Sequence, residues 1–292
     1  MVTTDPLLQQ VFIVDCLIKG VHARATKHLN LKNGEAIACH DPDAAAMSNF
    51  CFGEVAPLGV EAAFKNLKVE NAKIVWDLGH GNGKLLIQAF LQFQHLQEVH
   101  GVELSGTRAV TSLLMLGELA TKFQDLKLAH SSNSSASFVS SDYKSFPFSV
   151  PLSSSLQSVE LLKDAFKVGI CAGPTFSEDG QSKGEGKSED KGNTKGRILT
   201  LARQDLFQVL EEAVTTADIL LIEVKLVPEL RKRVCEALCR MKRGSRLLTF
   251  ENFRLNFAAA SIPCPFKDIA DDKGYKVSWT QQYWTFFLYE KL

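Results

Sequence analysis

Seven consecutive residues, Asp77-Leu-Gly-His-Gly-Asn-Gly83, set a carboxylate beside three glycines at alternate positions, Gly79, Gly81 and Gly83. Glycine lets a chain turn tightly and bring its backbone up to a ligand with no side chain in the way. Placed between a strand and a helix, such a loop can hold a nucleotide. The acid Glu103 closes the next apolar stretch, where its carboxylate can accept hydrogen bonds from both hydroxyls of a ribose. Either feature alone is weak: glycine-rich turns also serve packing, and a strand-end glutamate can simply be solvated. Their separation makes the pair more specific. Asp205, after a further apolar stretch, is placed to accept from the amino group of an adenine.

The loop pattern narrows the choice of cofactor. A dinucleotide fingerprint calls for glycine where this chain has Lys84, so that pyrophosphate can rest on the helix terminus. S-adenosylmethionine carries no phosphate and needs close backbone approach more than an anion cradle. A dehydrogenase is therefore the weaker expectation, since no constellation of residues suits the nicotinamide side. His80 has no visible acidic partner and reads as a loop residue whose backbone matters. Cys235 and Cys239, four apart on a helix, read as core thiols, and no metal is assigned.

The elements that position these residues follow from hydrophobic periodicity. Lys73 to Leu78 is a first parallel strand, Leu85, Leu86, Ala89, Phe90 and Phe93 repeat with helical period, and Val99 to Leu104 forms a second strand. Ile198 to Asp205, Ala217 to Val224 and Ser245 to Asn252 read as further buried strands, with helices at Leu206 to Ala213 and Pro228 to Met241 between them. This alternation specifies a mostly parallel, doubly wound sheet covered on both faces. YKVSWT and WTFFLYEK suggest a closing antiparallel hairpin. Residues 1–49 read as a small N-terminal helical lobe and 50–292 as the catalytic domain. The latter carries a low-complexity insertion at about 129–197, rich in serine and then in alternating charge. Val159 to Ile170 is helical in pattern and interrupts it.

Lysine plus arginine equals aspartate plus glutamate at 33 each, so no global field draws the chain to nucleic acid or to an anionic membrane. No apolar run reaches the roughly 18 residues of a membrane span, and no basic segment precedes the apolar N-terminal stretch as in a signal peptide. Seven cysteines without paired zinc spacing suggest reduced thiols. The most basic segment is the helix from Pro228 and its continuation, with Arg231, Lys232, Arg233, Arg240, Lys242, Arg243 and Arg246 around the apolar stripe Leu230, Val234, Leu238 and Met241. A solvated face explains most of that charge. Contact with a nucleosome through residues 231–246 is the minority reading.

Phe52-Gly-Glu54, Asp77-Leu-Gly-His-Gly-Asn-Gly83 and Gly101-Val-Glu103, in this order and spacing, resemble the disruptor-of-telomeric-silencing family of histone lysine methyltransferases, whose catalytic domain is Rossmann-like rather than SET. Thr200-Leu-Ala-Arg-Gln-Asp205, Pro228-Glu-Leu230 and Val277-Ser-Trp-Thr280 extend the resemblance to about Leu288, the insertion excepted. It implies a class I methyltransferase fold and transfer of a methyl group from S-adenosylmethionine to a lysine amine. By the same resemblance Phe52, Gly53, Glu54 and Val55 close over the cofactor, while Asp77, Gly79, Gly81, Gly83, Lys84, Glu103, Asp205 and Leu206 surround it. Trp279 and an aromatic residue at Phe286 or Phe287, with Phe287 preferred, wall the lysine channel.

Several positions depart from the family pattern. Glu223-Val-Lys-Leu-Val227 stands where the family has Asn-Asn-Phe-Ala-Phe, which puts Glu223 at the methyl-transfer position in place of an asparagine. Phe52 replaces a tyrosine, Lys84 a glutamine and Leu206 a phenylalanine. The resemblance implies a protein substrate, a histone or nucleosome, a nuclear or else cytoplasmic location, and a monomer. The alternatives are a non-histone or small-molecule methyltransferase of the same fold and a degenerate module that keeps only the cofactor pocket.

Overall fold

In the computed structural model, residues 6–28, 55–131, 167–172, 197–269, 275–276, 283–284 and 286–292 are described. The sheet grows outward from β1 (Ile74–Leu78), whose last four residues are all buried. Burial on both faces is the mark of a central parallel strand. Because successive side chains point to opposite faces, Val75 enters one hydrophobic core and Trp76 and Leu78 the other.

On one side β1 pairs in parallel with β2 (Glu98–Glu103), which pairs in parallel with β4 (Arg197–Arg203). On the other side it pairs with β5 (Ile219–Ile222), which pairs with β6 (Arg246–Thr249), again in parallel. The last strand, β10 (Phe287–Lys291), runs antiparallel between β6 and β7 (Phe266–Asp268). With β3 (Lys167–Ala172) at the far edge, the order is β3-β4-β2-β1-β5-β6-β10-β7. This is the expected mostly parallel, doubly wound sheet, with antiparallel strands at the C-terminal end.

Helices cover both faces. Against the Val75 face lie α1 (Pro6–His28), α2 (Pro57–Asn66), α3 (Lys84–Gln92) and α4 (Gly106–Ser131), contributing among others Ile18, Phe64, Phe90 and Leu116. Against the Trp76 face lie α5 (Leu206–Thr216), α6 (Pro228–Leu238) and α7 (Phe253–Ala259), through Leu210, Val234 and Phe257. Of the stripe predicted there, Val234 and Leu238 of α6 and Met241 just beyond it are at 4% exposure or less, while Leu230 in the first turn is half-buried. From the N-terminal segment, α1 sets Val14, Ile18, Val21 and Ala25 into the same core as the main sheet, and Arg24 ties it to Glu118 of α4 at 2.6 Å.

Three sequence expectations change. The closing hairpin is two separate pairings: β8 (Tyr275–Lys276) and β9 (Tyr283–Trp284) form a small sheet of their own, while β10 joins the main sheet. Residues 167–170, expected to end a helix, form β3 instead, antiparallel to β4. The edge of β4 would otherwise present unpaired N–H and C=O groups, and β-branched Val168 and Ile170 suit a strand. Third, β4 and β5 end two residues earlier than their apolar patterns, leaving Gln204-Asp205 and Glu223-Val224 beyond the sheet.

Candidate functional site

The chain leaves β1 in one direction to β2 and β4 and in the other to β5 and β6. A crevice therefore opens beyond the carboxyl ends of β1 and β5, where ligands bind in open α/β sheets. The loop after β1 forms its floor. Gly79, Gly81 and Gly83 have φ of 120°, 57° and 74°, a region in which a Cβ is strained. Space is also lacking: a Cβ on Gly79 would lie 2.3 Å from Cγ1 of Val224, and one on Gly83 2.6 Å from Cδ1 of Leu201.

The loop's N–H groups turn inward. Those of Gly79 and His80 both donate to the carbonyl of Val102, at 2.8 and 3.1 Å, and that of Gly83 donates to the carbonyl of His80 at 2.8 Å. The N–H of Gly81 donates to Oε2 of Glu103 at 2.9 Å. The Gly79, His80 and Gly81 donors hold the loop on β2, the Gly83 donor closes it on itself, and all four are turned away from a phosphate. His80, expected to matter through its backbone, is buried by its ring as well. Gly101 of β2 makes the room, since a Cβ there would lie 2.7 Å from Cδ2 of His80. Burial lowers the pKa of the imidazole, which is held neutral.

Glu103 is fixed at the end of β2 by its own chain. Besides the Gly81 N–H, it accepts the N–H of Ser105 at 2.8 Å and faces Arg108 of α4 at 3.2 Å, with both side chains only 5% exposed. No sequence signal singled out Arg108. Three donors on two carboxylate oxygens leave acceptor capacity for a further hydroxyl. Asp205 is the N-cap of α5, its Oδ1 accepting the N–H of Phe207 at 2.9 Å. Its second oxygen is not needed for that cap.

Asp77 and Glu223 differ from Glu103. They project from the ends of β1 and β5, which are in register at Asp77 and Leu221, so the two acids flank the switch point. Asp77 is 1% exposed. Its Oδ1 and Oε1 of Glu223 are buried with no hydrogen-bond partner among the described residues. Burial pushes the Asp77 carboxyl well above the usual carboxylate range, and the charges of Glu223 and Glu103 push it further. Burial raises Glu223 to about 7. The cleft that Glu223 enters is otherwise apolar, lined by Val55, Ala63, Phe64, Leu85, Leu221, Leu248 and Phe286.

The remaining candidates divide. Val55 lines this cleft, and Lys84 opens α3 beside the glycine loop, half-buried. Leu206 packs with the core beneath α5. Phe287, preferred for the lysine channel, instead packs on the α5 to α7 face, with Tyr289 stacked beside it at 6.5 Å. Phe286, one residue earlier and so on the other face, lines the Glu223 cleft and meets Phe250 at 4.7 Å. Phe52, Gly53, Glu54 and Trp279 lie outside the described residues.

The basic segment is largely matched within the chain. Arg231 pairs with Glu251, Arg240 with Glu211, Lys242 with Asp218 and Arg246 with Glu290, and Arg233 lies over the ring of Phe207. Cys235 is buried, its thiol pushed up to about 12 mainly by that burial, as expected of a core thiol. Among the described residues no helix is long and apolar enough to cross a membrane.

Comparison with known proteins gives a partial match to one family model. Residues 42–145, roughly a third of the chain, match the model of the family described as Histone methylation protein DOT1. That span contains the three motifs on which the resemblance to the disruptor-of-telomeric-silencing family rests, and the match supports a methyltransferase. No curated protein matches the chain. Among solved structures it is similar to TrmN from Thermus thermophilus, at 14% identity and a TM-score of 0.37, covering 80% of this chain and 48% of that one. It thus spans about half the length of that protein. It is also similar to a putative O-methyltransferase from Klebsiella pneumoniae (11% identity, TM-score 0.42, covering 100% of this chain and 92% of that one). A third is the magnesium protoporphyrin IX methyltransferase of Synechocystis PCC 6803 with bound SAM (10% identity, TM-score 0.39, 81% of each chain).

Proposed function

We propose that this chain is an S-adenosylmethionine-dependent protein-lysine methyltransferase, acting on a nucleosomal core histone in the nucleus. The observation that carries the cofactor is the charge of the crevice. Asp77 and Glu223 project there with buried oxygens lacking hydrogen-bond partners among the described residues, while the N–H groups of Gly79, His80 and Gly81 are engaged by β2 and that of Gly83 by the loop itself. A pyrophosphate would meet two carboxyl groups there, whose ionisation it would oppose; a cationic sulfonium would favour their ionised form and be attracted by it. The residues present therefore fit S-adenosylmethionine better than a dinucleotide. The histone and the lysine rest on the family match, which covers the cofactor motifs.

When bound, S-adenosylmethionine supplies a methyl group already activated by the sulfonium. Glu103, immobilised by Arg108 and two backbone N–H groups, offers a pre-oriented acceptor for a ribose hydroxyl. Asp205, held by its cap, offers its free oxygen to an adenine amino group. The three glycines keep side chains off the floor of the crevice. Since the methyl donor needs no further activation, alignment of a neutral amine is what the protein has to supply.

Calorimetry with S-adenosylmethionine and with reduced nicotinamide dinucleotide, followed by radiolabel transfer to nucleosomes, free histones and a cell extract, tests this function. We expect cofactor binding, label on nucleosomal histone, and loss of both in Gly81→Arg, whose side chain would fill the floor of the crevice. Label only on extract proteins would move the substrate elsewhere. Binding without transfer to any acceptor would leave a degenerate module, and preference for the nicotinamide dinucleotide would overturn the cofactor assignment.

A further inference from the structure

We infer that Glu223, backed by Asp77, is the group that receives the acceptor: it binds a primary ammonium ion at the switch point and takes its proton. This deepens the methyltransferase reading and rests on it. The inference stands on placement. Glu223 projects from the end of β5 at the crevice, on the same face as Leu221, and is the polar residue in a cleft otherwise lined by apolar side chains. One of its oxygens is buried without a hydrogen-bond partner among the described residues, as is one of Asp77. A buried carboxylate pair without a cation is unfavourable unless a proton or a cation joins it. A lysine ammonium supplies both.

Charge around the site favours that ligand. Val55, the α2 residues Ala63 and Phe64, and Leu85 of α3 face Glu223 without a titratable group, as do Leu248 of β6 and Phe286. Among the described residues the titratable neighbour is Asp77 on β1, itself in the field of Glu103. Burial holds Glu223 at about 7, so near neutrality it exchanges a proton readily. The step balances. The ammonium transfers H⁺ to the Glu223 carboxylate, giving a neutral amine and a carboxylic acid. The nitrogen lone pair then forms the N–C bond as the C–S bond breaks, and the electron pair stays on sulfur as a thioether. Glu223 afterwards returns its proton to water. An asparagine at this position could hold an amine but could not take its proton, so this departure from the family pattern adds a function.

The test uses the intact chain with carboxyl-¹³C-labelled glutamate and aspartate, S-adenosylhomocysteine as the cofactor product, and n-butylammonium as the probe amine. The Glu223 resonance, assigned by its absence in Glu223→Gln, is expected to titrate near 7. Butylammonium should lower that midpoint by about one unit or more, since a close cation favours the carboxylate. Glu223→Gln should weaken butylammonium binding about tenfold or more, with S-adenosylhomocysteine affinity retained. Asp77→Asn leaves the Glu223 carboxyl in place, so butylammonium should still lower its midpoint there, and this variant remains informative if the first misfolds. A midpoint that butylammonium does not move, or equal amine binding by Glu223→Gln, overturns the inference. Failure of the wild type to bind S-adenosylhomocysteine in calorimetry is a separate result, and it overturns the methyltransferase reading instead.

Discussion

A carboxyl group held at about 7 inside the fold, against 4.5 for an ordinary glutamate, makes stability depend on pH in a direction opposite to most proteins. Between those two values the folded chain binds a proton at Glu223 that the unfolded chain has released. Its contribution is therefore full below the unfolded value and is lost as pH rises through about 7. Each unit of difference is worth about 1.4 kcal/mol, so raising pH from about 5.5 to about 8.5 should remove on the order of 2 kcal/mol through this group alone. The upward shift of Asp77, caused by burial and then by the charges of Glu223 and Glu103, acts in the same direction. Glu223→Gln keeps the shape of the side chain and removes its titration. Urea unfolding of both proteins at the two pH values should show the variant losing about 2 kcal/mol less than the wild type over the interval. Parallel pH dependences in the two proteins would refute the reasoning. So would a wild type that gains stability through this window relative to the variant, since that would mean the folded state prefers the ionised form.

Two further predictions follow from the packing around the loop. Gly101→Ala would put a Cβ 2.5 Å from Cδ1 of Leu86 and 2.7 Å from Cδ2 of His80. Overpacking of this kind costs about 1–3 kcal/mol in chemical denaturation, and by lifting His80 it should weaken S-adenosylmethionine binding in calorimetry as well. Unchanged stability would show that His80 does not depend on the space Gly101 leaves. Arg108→Met removes one member of a buried ion pair and leaves Glu103 with its two backbone donors. The expected cost is about 3 kcal/mol in urea unfolding, at the lower end for a broken buried pair; a loss below about 1 kcal/mol would mean the two N–H groups suffice alone.

What the sequence makes legible is local. The Lys73 to Leu78 strand, the glycine loop and the α6 stripe each announce themselves within about ten residues, through continuous apolar runs, φ-permissive residues or helical period. Pairing over long separations is not legible. Asp77 and Glu223 are distant in the chain and meet because β1 and β5 are in register. Phe286 and Phe287 show the same limit at its finest: the apolar run Phe286 to Tyr289 does not reveal which parity faces the cleft, and a shift of one residue reverses every side chain. Arg108 carries no motif, since its pairing with Glu103 arises from the turn between β2 and α4. The strand Lys167–Ala172 is short and its first residues continue a helical pattern, so its identity comes from the edge of β4 and not from its own pattern.

The acids of the crevice divide by how their charge is met. Glu103 has an arginine and two N–H donors, all from its own chain, and serves as a fixed acceptor. Asp77 and Glu223 have buried oxygens to which the described residues offer no donor, and so they hold a proton until a cation arrives. Carboxylates driven apart in this way within one site take different chemical roles. Both reactants of an amine methylation are cations before the proton is removed, and their mutual repulsion opposes bringing them together. An anionic switch point between the β1 and β5 ends relieves that repulsion from the protein side. This physical reason connects Glu223, where the chain departs from the family pattern, with Asp77, where it keeps it.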